Sequence, residues 1–266
     1  MGDGDIVLEQ HGQILHIILD RPDKKNAFGG TMREDLALAL EAAGRAHPSD
    51  DVRVIVIRGE GDSFCAGGDV ANLLKLKENE DGAALLELLA RGERVVRAVR
   101  AFPGPVIAAI DGPAVGAGLT LALACDLRIC STRSRFGMAF IGIGLHPDWG
   151  GSWLLAQTVG DARARELSLS GRLFDAAEAE RIGLVHEVVG DDDWASTVAK
   201  RADRLAAQAP RTMALIKETF NAMAGRSLDE GFTRERQAQH AAFGTQDVAE
   251  GLSAFVEKRR ANYEGR

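Results

Sequence analysis

Two glycine-rich loops constrain the fold of this chain more than any other feature, because each follows a β-branched strand and leads into a helix. The first loop spans 63–70 and reads SFCAGGDV, after a strand predicted at 52–58. The second loop spans 112–118 and reads GPAVGAG, between a strand predicted at 105–110 and an apolar helix at 119–125. Repeated strand, loop and helix units are typical of an α/β fold.

Both loops are predicted to expose backbone N–H groups at the start of a helix. These groups lack intrahelical acceptors and lie at the positive end of the helix dipole, so they can bind an anion or a developing oxyanion. Two such loops meeting at one point would polarise a single carbonyl oxygen from two sides, which suits thioester chemistry. A different interpretation is that the glycines only permit tight turns and close packing.

A dinucleotide-binding loop is a third interpretation of the second glycine-rich segment. The order of its glycines is not GxGxxG. No acidic residue stands about 20 positions further on after a second strand, where it would bind a ribose. These departures disfavour a nicotinamide or flavin dinucleotide as ligand.

The pattern of predicted elements changes along the chain. The first half has β-α-β organisation, with one helix opened by a capping box of Thr31 and Glu34, and from about Asp161 onward the sequence is almost wholly helical. The later helices are predicted at 162–169, 176–181, 193–207, 211–224 and 228–242. The 266 residues allow one large domain or two small ones. The shift favours an α/β core in residues 1–200 followed by a helical region in residues 201–266.

Charge and cysteine content disfavour several classes of function. The net charge of −7 argues against nucleic-acid or membrane-surface binding, which needs clustered Lys and Arg, although a small anionic ligand needs only local donors. The cysteines Cys65, Cys125 and Cys130 form no CxxC pair and are expected to be buried free thiols in a reducing compartment. No signal-peptide pattern and no apolar run of about 18 residues is present, so we expect a cytoplasmic location.

Four motifs, taken in order, resemble those of the crotonase (enoyl-CoA hydratase/isomerase) superfamily. RPDKKNA at 21–27 resembles the RPxxxNA segment of that family, and the first glycine-rich loop resembles its FxAGxD motif. LALACD at 121–126 resembles LAxACD, and FVEKR at 255–259 resembles FxEKR. Each motif is weak alone, but four in this order and spacing make a chance match improbable. The resemblance covers nearly the whole chain.

This resemblance implies an α/β fold in which repeated β-β-α units form a spiral and C-terminal helices assemble a homotrimer, often a dimer of trimers. It implies an acyl-CoA thioester whose carbonyl lies between two backbone N–H groups, which by motif position are those of Gly68 and Ala117. No metal and no separate cofactor is expected, since coenzyme A is part of the substrate. Further positions expected to contact the substrate are Lys25, Ala27, Ala66 and Phe140, with Phe255 and Lys258 from a neighbouring subunit.

One departure from the family pattern bears on the reaction. Hydratases of the family use two glutamates to handle water, and here Thr120 and Phe140 stand at those positions. Because hydration needs both a base and an acid, their loss argues against efficient hydration. Residues 136–155 instead resemble the AFxxIGLxPDxGxSWLLP pattern of the ring-epoxide and enoyl-CoA isomerases of phenylacetate-type degradation. In that branch the aspartate matching Asp148 transfers a proton.

The sequence therefore predicts an acyl-CoA isomerase of the enoyl or ring-epoxide type. One carboxylate, Asp148, is sufficient for a 1,3-proton shift if an oxyanion hole carries the dienolate, and its apolar surroundings predict raised basicity. Alternatively, Asp148 caps the next helix, and His146 is a second candidate proton carrier. A hydratase that uses Asp148 or His146, and a catalytically silent acyl-CoA-binding protein, are the other functions considered. The sequence leaves open which acyl group is bound and whether the assembly is a trimer or a hexamer.

Overall fold

The structure is a computed structural model that describes residues 5–46 and 52–266. The strands are β1 Asp5–His11, β2 Ile14–Asp20, β3 Val54–Gly59, β4 Val106–Ile110, β5 Pro113–Val115, β6 Leu127–Ser131, β7 Arg135–Gly137, β8 Phe174–Asp175 and β9 Glu187–Val189. The helices are α1 Met32–Ala46, α2 Val70–Glu78, α3 Gly82–Ala101, α4 Ala117–Ala124, α5 Gly151–Val159, α6 Asp161–Ser170, α7 Ala176–Arg181, α8 Trp194–Ala206, α9 Pro210–Met223, α10 Leu228–Phe243 and α11 Gln246–Glu257. Among these helices none is long and apolar enough to cross a bilayer.

The strands form two sheets, and from β4 onward the chain passes repeatedly from one sheet to the other. The larger sheet has the order β1-β2-β3-β4-β6-β9, in which β1 and β2 are antiparallel and all other neighbours are parallel. The smaller sheet has the order β5-β7-β8. The chain therefore runs from β4 to β5 and into α4, and again from β6 to β7 and towards α5. This confirms the expected repeat of β-β-α units.

The central strands of the larger sheet are buried on both faces, which explains their uninterrupted apolar runs, whereas the edge strand β1 is mostly exposed. Side chains alternate along β3, so Ile55 and Ile57 enter the main core with α1 and α3. Val54 and Val56 point to the opposite face, where Ala202 and other small apolar residues of α8 cover them. The helix α8 is thus part of the core, and the predicted boundary at residue 200 lies inside it.

The helical C-terminal region packs onto this core. Lys217 of α9 anchors it, because the ammonium group donates to the carboxylate of Asp126 at 2.7 Å and to the carbonyls of Val99 and Gly104 at 3.0 and 3.1 Å. The predicted helices from residue 162 onward are present, and α11 is an additional helix that the sequence analysis did not predict. Several large apolar side chains of this region stay exposed, namely Ile216, Phe220, Phe232, Phe243 and Phe255.

Candidate active site

The two glycine-rich loops are hydrogen-bonded to each other. The amide of Cys65 donates to the carbonyl of Pro113 at 2.9 Å, and the amide of Val115 donates to the carbonyl of Cys65 at 3.0 Å. Gly67 has a φ of 101°, and a side chain there would lie 2.9 Å from the Val115 oxygen and 3.4 Å from the Ala117 nitrogen. Glycine at position 67 therefore lets the first loop lie directly against the N-terminus of α4.

Gly68 and Ala117 line a common cavity of about 470 Å³. Ala117 is the first residue of α4, so its N–H group has no acceptor within the helix. Within the described part of the chain, neither of these two amides donates a hydrogen bond, whereas the adjacent amides of Gly116 and Asp69 are bonded to backbone carbonyls. Two uncommitted amides on one cavity are the donors that binding of a single carbonyl oxygen requires.

Asp148 is the one carboxylate among the described residues that line this cavity. The side chain is half-buried, and its Oδ1 atom is buried without a hydrogen-bond partner. It does not cap α5, whose N-cap residue is Gly150 and has no side-chain cap. Burial raises the pKa of Asp148 to about 6, against the opposing effect of the Arg33 cation. A carboxylate with this pKa is ionised at neutral pH and is a stronger base than an exposed aspartate.

Arg33 of α1 also lines the cavity, although it was not among the residues predicted from the sequence. The residue is only 5% exposed. Its guanidinium carbon lies 5.5 Å from the ring centroid of Phe28 and 5.6 Å from that of Trp149, within the range of cation–π contacts. Its Nη1 donates to the Phe28 carbonyl at 3.2 Å, whereas its Nε is buried without an acceptor. The cavity thus contains a buried cation, whose pKa burial lowers.

Of the other residues predicted from the sequence, some line this cavity and some do not. Ala66 and Phe140 line it, and so does the exposed His146, whose Nδ1 lies 2.7 Å from the Pro147 carbonyl. Thr120 is fully buried and does not line the cavity, because its hydroxyl turns to the backbone of its own helix. Thr120 and Phe140 stand at the two positions where hydratases carry glutamate. Neither residue therefore supplies a proton-transferring group to the cavity.

The remaining predicted substrate contacts lie outside this cavity. Lys25 and Ala27 run beside the first loop, where the Ala66 amide donates to the Lys25 carbonyl at 2.9 Å. Phe255 is 84% exposed near the end of α11, and Lys258 follows that helix. Within one chain these two side chains do not reach the cavity, so their contribution from a neighbouring subunit stays a prediction.

The cysteines contribute no reactive group to the site. Cys65, Cys125 and Cys130 are buried and free, as the sequence predicted. Burial raises the pKa of each thiol to about 12, which keeps it protonated. Among the described residues there is also no cluster of three His, Cys, Asp or Glu side chains that would hold a metal ion.

Comparison with known proteins connects this geometry with acyl-CoA chemistry. The sequence model of the enoyl-CoA hydratase/isomerase family matches residues 9–266. The chain is 35% identical over 264 residues to a crotonyl-CoA hydratase of Syntrophomonas wolfei, covering 97% of both chains. It is 35% identical over 257 residues to a 1,2-epoxyphenylacetyl-CoA isomerase of Escherichia coli, covering 95% of both.

Solved structures show the same relationship at the level of the fold. An enoyl-CoA hydratase from Polaromonas sp. JS666 superimposes with a TM-score of 0.91 at 34% identity, over 97% of this chain and 99% of that one. An enoyl-CoA hydratase from Bacillus anthracis gives a TM-score of 0.91 at 31% identity, over 98% and 99% of the two chains. The protein therefore belongs to the enoyl-CoA hydratase/isomerase family.

Proposed function

We propose that this protein is an acyl-CoA isomerase of the enoyl or ring-epoxide type, in which Asp148 transfers the proton and the amides of Gly68 and Ala117 hold the thioester oxygen. One observation carries the proposal: the cavity with two uncommitted amides is lined by one carboxylate among the described residues. A carboxylate that both removes and returns a proton needs no second acid or base.

The proposed reaction on a 3-enoyl-CoA begins with the thioester oxygen accepting hydrogen bonds from Gly68 and Ala117. The carboxylate of Asp148 then removes a proton from C2, and the electron pair delocalises over the thioester oxygen and C4. The two amides stabilise the resulting dienolate, because negative charge develops on the oxygen that they bind. Asp148 returns the proton to C4, which gives the 2-enoyl-CoA and restores the ionised carboxylate.

Hydration of an enoyl-CoA is the second candidate function. Several relatives at similar identity are named as hydratases, and His146 lines the cavity near Asp148. In this alternative Asp148 or His146 would activate water, and the other would protonate the α-carbon. Arg33 would not serve as the base, since a guanidinium stays protonated in proteins.

The substrates that separate the two reactions are a 3-enoyl-CoA and crotonyl-CoA, each incubated with the purified protein. An isomerase converts the first into a 2-enoyl-CoA and leaves the second largely unhydrated. Rapid formation of 3-hydroxybutyryl-CoA from crotonyl-CoA would assign the hydratase instead. Tight binding of both thioesters without turnover of either would indicate a catalytically silent family member.

The same proposal includes a cytoplasmic homotrimer or dimer of trimers. Support comes from the exposed apolar side chains of the C-terminal helices, among them Phe220 and Phe255, which are 76% and 84% exposed in the single chain. Aromatic side chains exposed to this degree are typical of surfaces that another protein covers. In such an assembly Phe255 and Lys258 would contact the nucleotide end of coenzyme A bound to the neighbouring subunit.

A further inference from the structure

We infer that Arg33 binds an oxygen atom of the acyl group, so that the preferred substrates carry a hydrogen-bond-accepting oxygen beyond the thioester carbonyl. The inference deepens the proposed function and rests on it in one respect, namely that the cavity beside Gly68 and Ala117 receives the acyl group. It concerns which acyl groups bind, and not how the proton is transferred.

Arg33 is a buried cation with few hydrogen-bond partners. It is 5% exposed, and its one hydrogen bond within the described chain runs from Nη1 to the Phe28 carbonyl. The other three buried arginines have more acceptors. Arg21 donates to the Ala27 carbonyl and the Asp69 carboxylate. Arg53 and Arg128 each donate to at least two backbone carbonyls, although the Nε of Arg53 also has no acceptor. Burial of an incompletely paired cation is unfavourable, so such a group in a folded protein requires an explanation.

An unused donor of Arg33 lies close to Gly68. The Nη2 atom of Arg33 lies 3.7 Å from the position that a Cβ atom on Gly68 would occupy. This places the guanidinium next to the proposed site of the thioester carbonyl. The rings of Phe28 and Trp149, whose centroids are 4.8 Å apart, contact the guanidinium from one side and restrict its orientation. Arg33 therefore presents a fixed donor to whatever occupies the cavity.

Asp148 does not serve as the hydrogen-bonded partner of Arg33. No ion pair joins them, and the buried Oδ1 atom of Asp148 has no hydrogen-bond partner either. A direct pair would hold the pKa of the aspartate low, whereas burial raises it to about 6. The two opposite charges line the same cavity without forming an ion pair, and Arg33 is left with donors for a ligand.

The remaining walls of the cavity make the choice of ligand selective. Most of the side chains that line them are apolar, among them Val70, Leu73, Leu85, Leu88 and Leu89. A hydrocarbon acyl group would cover Arg33 without satisfying its donors, which is costly in an apolar pocket. An acyl group with a carbonyl, ether or carboxylate oxygen would satisfy them. Discrimination by a buried donor is stronger than discrimination by pocket size.

Equilibrium binding of unreactive thioesters tests the inference without any turnover. Isothermal titration would compare pentanoyl-CoA with 3-oxopentanoyl-CoA, 4-oxopentanoyl-CoA and glutaryl-CoA, which share a five-carbon acyl chain and differ in the oxygen. At least one oxygenated thioester should bind roughly 10-fold or more tightly than pentanoyl-CoA, the range of a hydrogen bond to a charged group. A preference confined to glutaryl-CoA identifies an anionic oxygen, and a preference for an oxo compound identifies a neutral one. Equal affinity for all four thioesters would overturn the inference.

Substitutions test whether a preference for oxygenated thioesters is due to Arg33. Arg33→Met removes the donors while keeping an unbranched side chain, and should abolish the preference while pentanoyl-CoA binds as tightly as before or more tightly. Arg91→Met is the matched control, because Arg91 is a partly exposed cation paired with Glu87 that does not line the cavity. The control should keep the preference. Retention of the preference in Arg33→Met, or an equal loss of affinity for all thioesters, would contradict the assignment.

The comparison of the four thioesters still tests the inference if Arg33→Met does not fold, or if the protein is not an isomerase. If Arg33→Met does not fold, the wild-type preference still decides whether an oxygen is recognised, and Arg33→Lys tests whether a charge without the planar donor fork is enough. If the protein proves not to be an isomerase, the comparison is unaffected because no ligand in it has to react. Failure of the inference and failure of the proposed function are therefore distinguishable.

Discussion

A methyl group on Gly92 of α3 would overlap the indole nitrogen of Trp149. Trp149 is 4% exposed, has a φ of 54°, and its ring lies 4.8 Å from that of Phe28. A positive φ is strained for a bulky residue and persists only when the surrounding packing enforces it. Because Trp149 directly follows Asp148, the space left by Gly92 helps to set where the proposed base lies.

Gly92→Ala should therefore displace Trp149 and disturb the neighbouring Asp148. Overpacking of a buried site typically lowers the free energy of unfolding by about 1–3 kcal/mol, and turnover should fall as well because the base is misplaced. Urea denaturation and steady-state turnover measure the two effects. Gly82→Ala is the matched control in the same helix, since a side chain there meets no other atoms. Equal behaviour of the two variants would show that the contact with Trp149 is unimportant.

Asp148→Asn should raise stability at alkaline pH. Burial raises the pKa of Asp148 from 3.8 to about 6 in the folded protein, so ionisation between these values costs folding free energy. The variant should gain at most about 3 kcal/mol at pH 8, since each pKa unit is about 1.36 kcal/mol, and less because the side chain is partly solvated. Below about pH 4 the gain should vanish.

Urea denaturation of Asp148→Asn and wild type at the two pH values measures this difference. The sign of the change in stability also distinguishes the two roles considered for Asp148, a desolvated base and a helix cap. A helix cap would be weakened by the substitution, so the free energy of unfolding would fall by roughly 1 kcal/mol. A loss of stability at pH 8 would therefore contradict the desolvated-base interpretation.

The pH dependence of kcat/KM should report the same carboxylate. A general base works when deprotonated, so the rate should rise with pH and reach half its limiting value near pH 6. Arg33→Met should move this midpoint upward, because the Arg33 cation lowers the pKa of Asp148. Arg91→Met serves again as the control for a general change of charge. A midpoint near pH 4 in the wild type would mean that Asp148 is not desolvated in the active enzyme.

Light scattering tests the proposed assembly. We expect a particle of three or six times the chain mass of 28.4 kDa at micromolar concentration. Phe220→Glu places a charge on a side chain that is 76% exposed in the single chain, and it should shift the population toward smaller species if this surface is an interface. A wild-type monomer would rule out the assembly.

The central architecture was predictable because its signals are local. The strands β3 and β4 are short apolar runs, and the glycine-rich loops between strand and helix mark the turns, so the alternation of strands and helices followed from the pattern. The β-β-α repeat itself was implied by the family resemblance. The helix α11 was missed, although its sequence carries one of the family motifs. The predicted capping box of Thr31 and Glu34 is not formed. The Glu34 carboxylate pairs with Arg94 of α3 and not with the start of its own helix.

Arg33 shows why part of the site could not be predicted. A signal was present, because Arg33 stands three and four positions before the fully buried Leu36 and Ala37, on one face of α1. Local pattern does not distinguish a cation that reaches solvent along such a face from one that enters a cavity. That distinction depends on Trp149, which is distant in sequence and whose position depends on Gly92 of a third element.

The most direct test of the account is the rate at which Asp148→Asn converts a 3-enoyl-CoA into the 2-enoyl-CoA, compared with the wild type. Asparagine removes the base and leaves the amides of Gly68 and Ala117 unchanged. The account predicts a fall of at least about 10²-fold in turnover, with nearly unchanged affinity for a saturated acyl-CoA. Isomerisation by the variant within about tenfold of the wild-type rate would contradict the central claim, since general-base catalysis contributes more than that.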